Sequence, residues 1–204
     1  MILIGMMDSP FVRRVAISAR LMGLPLDHRQ VSVFRHMDEF AKYNPVIKAP
    51  TFVTDDGVTL MDSTLILEWL EPLATPERRL TPPSGQDRAR CLSAVGFAMA
   101  LAEKAVQVEY ERKRAPERRD AGWLARVETQ VNAAAARLDA LCADGRSALV
   151  AGRIGSADVA AACAWRFVRE VTPEVAPAAR HPALDAFSAK LEGTEAFRAN
   201  PFPK

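Results

Sequence analysis

Cysteine is scarce in this 204-residue chain: three copies, Cys91, Cys142 and Cys163, with no Cys-x-x-Cys pair among them. An odd, widely spaced set argues against a disulfide framework or a structural zinc site, and a reducing, cytoplasmic setting is the expectation. Histidine is equally sparse, and His28, His36 and His181 show no His-Glu-x-x-His or other ligand spacing, so no metal site is expected. Excess charge is also missing, since 27 basic residues against 25 acidic ones leave a net +2. That balance gives no reason to expect nucleic acid or an anionic membrane as a partner. No apolar run approaches the roughly 20 residues needed to span a bilayer. The opening "MILIGMMDSP" has no basic stretch before its apolar residues and does not read as a signal peptide. Internal repeats and low-complexity tracts are absent too.

What remains is an ordinary globular composition, 49% apolar and 25% charged, in a chain long enough to bury a sizeable core. Its two halves have different rhythms. In the first, "MILIGM" (1–6) reads as a buried strand, and Val12, Val15, Ala16, Ala19 and Met22 fall at helical spacing until "GLP" (23–25). A second strand at 27–33, a short helix at 36–43, a hairpin of 50–54 and 58–61 about "DDG", and a helix at 62–73 follow. Beyond a Pro-rich stretch strand signals nearly vanish. Leu92, Val95, Met99, Ala102 and Val106 mark one long helix, and Leu124, Val127, Val131, Ala134, Leu138 and Leu141 a second, with a break near Pro116. A third helix at 156–170 and shorter ones near 183–199 complete an all-α half. The fold class is α+β, with an N-terminal domain over 1–76, a linker over 77–86 and a helical domain over 87–204.

Taken singly, the polar landmarks have plain structural readings. Ser9 before Pro10 reads as a helix cap, as does Asp62-Ser63 before "TLILEWL". Ala49-Pro50 reads as an ordinary trans bond, because cis forms are only about 5–6% of such bonds. Trp69, Trp123 and Trp165 read as core, and "YERKRAPERR" (110–119) as a solvated helix end. Their conjunction raises a functional reading. Ser9 and Ser63 start helices after strands of one small sheet, and helix N-termini beyond strand ends gather small anions.

In order and spacing, "SPFVRRVAI", "NPVIKAPTF" and "MDSTLILEWLE" resemble the glutathione S-transferase superfamily. The Ser-Pro-Phe start is most similar to its serine-containing classes, such as the tau class, and to similar bacterial proteins. "GSADVAAA" (155–162) resembles the family's helix-start motif in the second domain. The resemblance covers essentially the whole chain and implies a thioredoxin-like N-terminal domain followed by an all-helical one. It assigns Ser9 to thiol activation and Pro50 to a cis-proline, with Ala49 pairing its backbone to the cysteinyl part of glutathione. Asp62 and Ser63 match the pair that holds the γ-glutamyl group. Lys48 matches the lysine of the "NPxGKVP" pattern, Arg35 or His36 lies where a basic residue contacts the glycyl carboxylate, and Phe11 and Phe34 are expected to flank the cleft. The second-substrate pocket is expected to draw on Phe11, Met99, Glu103, Tyr110 and Trp165. Glutathione as co-substrate, a small hydrophobic electrophile, a homodimer and a detoxifying role follow from the same resemblance.

The chemistry suits these residue types. With an ordinary thiol pKa of about 8.5, ~3% is ionised at pH 7, and a drop of about two units makes it roughly three-quarters thiolate, worth ~2.7 kcal/mol. One hydrogen bond to a charged group supplies about 1.5–3 kcal/mol. A serine hydroxyl and the positive end of a helix therefore suffice without a metal or general base. Two departures bear on this reading. Redox relatives carry Cys-Pro-x-Cys where this chain has Ser9-Pro10-Phe11-Val12, so no mixed disulfide can form at position 9. Gly155 stands where the helix-start motif has its capping hydroxyl, and Ser156 offers a start one residue later. The alternatives are a non-catalytic glutathione- or ligand-binding or interaction protein, and a glutathione-dependent peroxidase or isomerase.

Overall fold

The structure, a computed structural model, describes residues 1–203. In β1 (Ile2–Ile4), Leu3 and Ile4 are both fully buried but belong to different cores, because side chains alternate across a strand. Ser9 then caps α1 (Pro10–Met22), and Gly23 ends it at φ +73°, a left-handed conformation that glycine adopts without steric cost. The Leu24 N–H closes that end on the Ala19 carbonyl at 2.9 Å. After β2 (Asp27–Arg29) come α2 (Met37–Ala41), β3 (Thr51–Val53), β4 (Thr59–Leu60) and α3 (Ser63–Leu70). The sheet order is β2-β1-β3-β4, with β1 parallel to β2 and antiparallel to β3. On one face Leu3 and Phe52 pack with Val12 and Val15 of α1 and with Ile66, Leu67 and Leu70 of α3. On the other, Ile4 packs with Val31 and with Phe40 of α2. This is the thioredoxin-like arrangement.

The strand expected over 27–33 is shorter. The Val31 N–H turns back on the Arg29 carbonyl at 3.0 Å and the Ser32 N–H goes to His36 Nδ1 at 3.4 Å, so local bonds take backbone donors that a longer ladder would need.

The chain divides into two compact units, residues 1–80 with 194–203, and residues 81–193. The second contains α4 (Gly85–Lys113), α5 (Ala121–Cys142), α6 (Ser156–Val171) and α7 (Pro182–Glu192). The buried side of α4 is Cys91, Ala94, Val95, Ala98, Leu101, Ala102, Ala105 and Val108, so the expected stripe is rotated and Leu92 is half-exposed. Small residues win this face because they let α5 and α6 approach closely. By length and composition α4 is apolar enough to cross a membrane, although Glu103 and Lys104 interrupt its apolar run; one face of it is packed on α5 and α6.

Helix α6 begins at Ser156 with Gly155 as its cap. Gly155 has no side chain to offer, so Asp158 does the capping work, accepting from the Leu149 and Gly155 N–H groups at 2.7 Å each. Burial outweighs these donors and holds the Asp158 carboxyl above its ordinary pKa. The Ser156 hydroxyl meets Thr81 Oγ1 at 3.0 Å and Cys91 Sγ at 3.1 Å.

The last segment differs from the expected 87–204 domain. Helix α8 (Glu195–Arg198) packs on α1 in the first unit. Arg13, fully buried on α1, donates from Nε to the Asn200 carbonyl at 2.8 Å and lies 5.5 Å from the Phe197 ring centre. A guanidinium stacked on an aromatic face and hydrogen-bonded to backbone is a stable way to bury that charge.

His181, at the start of α7, is buried edge-on against Trp165 with ring centres 5.6 Å apart, and neither ring nitrogen has a hydrogen-bond partner among the described residues. Burial lowers its pKa below the ordinary 6.5, with Asp139 opposing and Arg180 reinforcing the shift. An unfolded chain then binds this proton more readily than the folded one, so stability is full above about pH 6.5 and falls as pH drops through it. Thermal unfolding between pH 7 and 5 is expected to show a falling midpoint in the natural chain and a shallower fall in His181→Phe.

Candidate functional site

Extended backbone at Ser9 (φ −71°, ψ 122°) turns directly into α1, with Pro10 at the first helical position. The Val12 N–H donates to Ser9 Oγ at 3.4 Å, a long bond that engages the oxygen only as an acceptor. The hydroxyl proton is thus left for another acceptor at the positive end of the helix.

The loop before β3 reaches the same place. Gly5, just past β1, has φ +141°, and a Cβ built there would lie 2.6 Å from Val12 Cγ2 and 3.1 Å from Ala49 Cβ. The first turn of α1, the end of β1 and Ala49 are therefore neighbours. The Ala49–Pro50 peptide is cis, which overturns the trans form expected from base rates and agrees with the proline assignment implied by the resemblance. Among the described residues no partner takes the Ala49 N–H or C=O, so both remain available for strand-like pairing with a peptide.

Asn44, not singled out in the sequence, organises this loop. Its amide nitrogen donates to Thr51 Oγ1 at 2.9 Å, its amide oxygen accepts from the Val46 N–H at 2.9 Å, and its carbonyl accepts from the Ile47 N–H at 2.9 Å. These bonds hold Ile47 at φ +52°, a conformation unusual for a β-branched residue. Thr51 Oγ1 in turn donates to the Lys48 carbonyl at 2.7 Å. The Asn-Pro pair is a turn signal, and it was the clue available in the sequence.

At the third corner Asp62 caps α3, accepting at Oδ1 from the Thr64 and Leu65 N–H groups at 2.8 and 3.3 Å. Both bonds use Oδ1, and Oδ2 has no hydrogen-bond partner among the described residues. Ser63, at the first helical position, is buried, and Arg14 Nη1 donates to its Oγ at 3.1 Å and to Thr64 Oγ1 at 3.3 Å. Arg14 was also missed. Its signal was a pair of arginines inside an otherwise apolar helical stretch, where a buried charge needs fixed partners.

The remaining residues are more dispersed. Phe11 is half-buried on α1, whereas Phe34 is 66% exposed. Arg35 and His36 are exposed on the Ser32 turn, with His36 Nδ1 accepting from the Ser32 N–H at 3.4 Å, and Lys48 is exposed. In the second unit Met99, Glu103 and Tyr110 share one face of α4, with Glu103 tied to Lys104 and Gln107. Trp165 does not join them. It is 1% exposed inside α6, its Nε1–H donating to Asp185 Oδ1 at 2.9 Å, so it is core and not a pocket wall.

A cavity of about 520 Å³ in the second unit, lined by Asp87, Arg90, Arg137, Leu141, Arg146 and Leu149 among others, involves none of the site residues above. The three cysteines are buried, and burial pushes the Cys142 thiol up to about 12. Burial sets all three apart from the partly exposed, electropositive setting of a reactive thiol.

Comparison with known proteins bears on both units. A family model for the glutathione S-transferase N-terminal domain matches residues 3–78, and one for the glutathione S-transferase C-terminal domain matches residues 121–190. The chain is similar to the uncharacterized GST-like protein YibF of Escherichia coli, 27% identical over 84% of each chain. It is also 27% identical to glutathione S-transferase U8 of Arabidopsis thaliana over 43% of this chain and 39% of that protein. A glutathione S-transferase from Methylobacterium radiotolerans, solved with glutathione sulfonate, superposes with a TM-score of 0.91 at 27% identity, over 100% of this chain and 95% of that one. A glutathione transferase family member from Pseudomonas fluorescens, solved with glutathione, gives 0.86 at 27% identity over 100% and 99%.

The crowding at Gly5 makes a direct test of how the site is assembled. Gly5→Ala puts a methyl group into Val12 and Ala49 at a backbone angle that L-residues avoid, and is expected to cost ~2 kcal/mol, lowering Tm by about 5 °C. A melting curve measures it, and an unchanged Tm would mean that the loop and helix are not packed this tightly.

Proposed function

The chain belongs to the glutathione S-transferase superfamily, and on that premise we propose that it binds glutathione in its first unit and adds the thiol to small hydrophobic electrophiles, with Ser9 as the activating group. The observation that carries this reading is Ser9 Oγ at the start of α1, accepting from Val12 and retaining its own proton. A thiolate placed there receives that proton in a hydrogen bond and faces the positive end of α1. The open backbone of Ala49 pairs with the cysteinyl residue. Asp62 Oδ2 takes the γ-glutamyl ammonium, and Ser63 with the start of α3 takes the carboxylate.

The reaction class follows from position 9. A serine cannot form a mixed disulfide, so the step is addition or substitution by the glutathione sulfur: the S–C bond forms as the electrophile's leaving group departs or its double bond takes up the electron pair. The same reading includes the serine-type assignment, a homodimer, a detoxifying role and a cytoplasmic setting in which thiols stay reduced. The burial of all three cysteines accords with that setting.

Capping and activation are separable by mutation. In Ser9→Gly the helix keeps a tolerable cap but loses the hydroxyl, at a cost of only a few tenths of a kcal/mol in stability. Both Ser9→Gly and Ser9→Ala are expected to bind glutathione and to lose at least tenfold in conjugation of an aryl halide, about 1.4 kcal/mol of transition-state stabilisation. Turnover unchanged in both would remove Ser9 from the mechanism.

A further inference from the structure

Arg14 lies one turn into α1, 3% exposed, with Nη1 3.1 Å from Ser63 Oγ and 3.3 Å from Thr64 Oγ1. The partners are 49 residues away in sequence for Ser63, so the contact belongs to the packing of α1 against α3 and not to either helix alone. A guanidinium is only a donor and stays charged at any pH of interest. A hydroxyl has one proton and two acceptor sites. Once Ser63 Oγ accepts from Arg14, its own proton is directed away from the guanidinium and is available to an acceptor. Asp62, whose Oδ1 takes the Thr64 and Leu65 N–H groups, keeps the start of α3 in register beside it.

We propose that Arg14 is a positioning residue for a ligand carboxylate: by donating to Ser63 Oγ it sets that hydroxyl as a donor, aimed at the α-carboxylate of a γ-glutamyl group. The inference rests on the glutathione reading above and adds a residue to it. Arg14 does not touch the ligand. It fixes the direction of one proton and adds a buried positive charge behind it, and both effects favour an anion at the start of α3. A lysine in its place keeps the charge but reaches with a single ammonium instead of a planar fork, and holds the hydroxyl less well.

The test compares two probes by calorimetry: glutathione, and 4-aminobutanoyl-cysteinyl-glycine, which lacks the α-carboxylate. In the natural chain glutathione is expected to bind tenfold or more tightly than the analogue. Arg14→Met is expected to weaken glutathione about tenfold while leaving the analogue within twofold, which collapses the ratio between them. Arg14→Lys should give an intermediate ratio, and Arg14→Met combined with Ser63→Ala should bind glutathione no more weakly than the worse single variant. A general structural role for Arg14 would weaken both probes alike, and that result, or an unchanged ratio in Arg14→Met, overturns the proposal. If Arg14→Met does not fold, the Arg14→Lys ratio decides, and a ratio equal to that of the natural chain overturns it. Failure of the natural chain to bind either probe would instead sink the glutathione reading on which the proposal stands.

Discussion

The first unit depends on one close approach, the start of α1 against the end of β1 and the loop before β3. Gly5 makes it possible by having no Cβ where Val12 and Ala49 meet. That contact brings Ser9 and Ala49 into one neighbourhood, although α1, β2 and α2 lie between them in the sequence. Residues on either side keep it in place. Asn44 braces the loop through Thr51, Val46 and Ile47, and α1 is buried along most of its length. A helix held on so many sides cannot shift its first turn without opening the core, which suits the positioning role proposed for Ser9.

Two arginines adjacent in sequence divide the supporting work. Arg13 faces Phe197 and the Asn200 carbonyl, and ties residues 194–203 to α1. Arg14 faces the start of α3 and holds Ser63 and Thr64. Each is an almost fully buried charge, expensive without hydrogen-bond partners, and each finds partners distant in sequence. The cost of burial enforces the geometry: α3 and the terminal segment have to sit where the guanidiniums can reach them.

The helical unit is built on a different principle. Helix α6 is buried nearly all round, and small residues dominate both it and the inner face of α4. Close helix contact then depends on shape more than on large apolar side chains. This explains why reading large residues at helical spacing misplaced the α4 stripe. Leu92 was expected inside and is half-exposed, while Ala94, Ala98 and Ala105 fill the contact.

Element order, the caps at Ser9 and Asp62, the stop at Gly23 and the long helices were legible in the sequence, because each is decided within a few residues by backbone sterics and local hydrogen bonds. The lack of a thiol at position 9 also excluded disulfide exchange there before any fold was known. Local rules gave the wrong isomer for Ala49–Pro50 and overextended β2. They read Trp165 as core, as it is, but could not foresee that Asp185 takes its N–H and that it stands outside the pocket place the resemblance implied. Nor could they pair Arg14 with Ser63 or Arg13 with Asn200, contacts that span 49 and 187 residues. Such choices are made by packing: propensity acts along the chain, whereas a buried polar group is satisfied only by whatever the finished fold brings beside it.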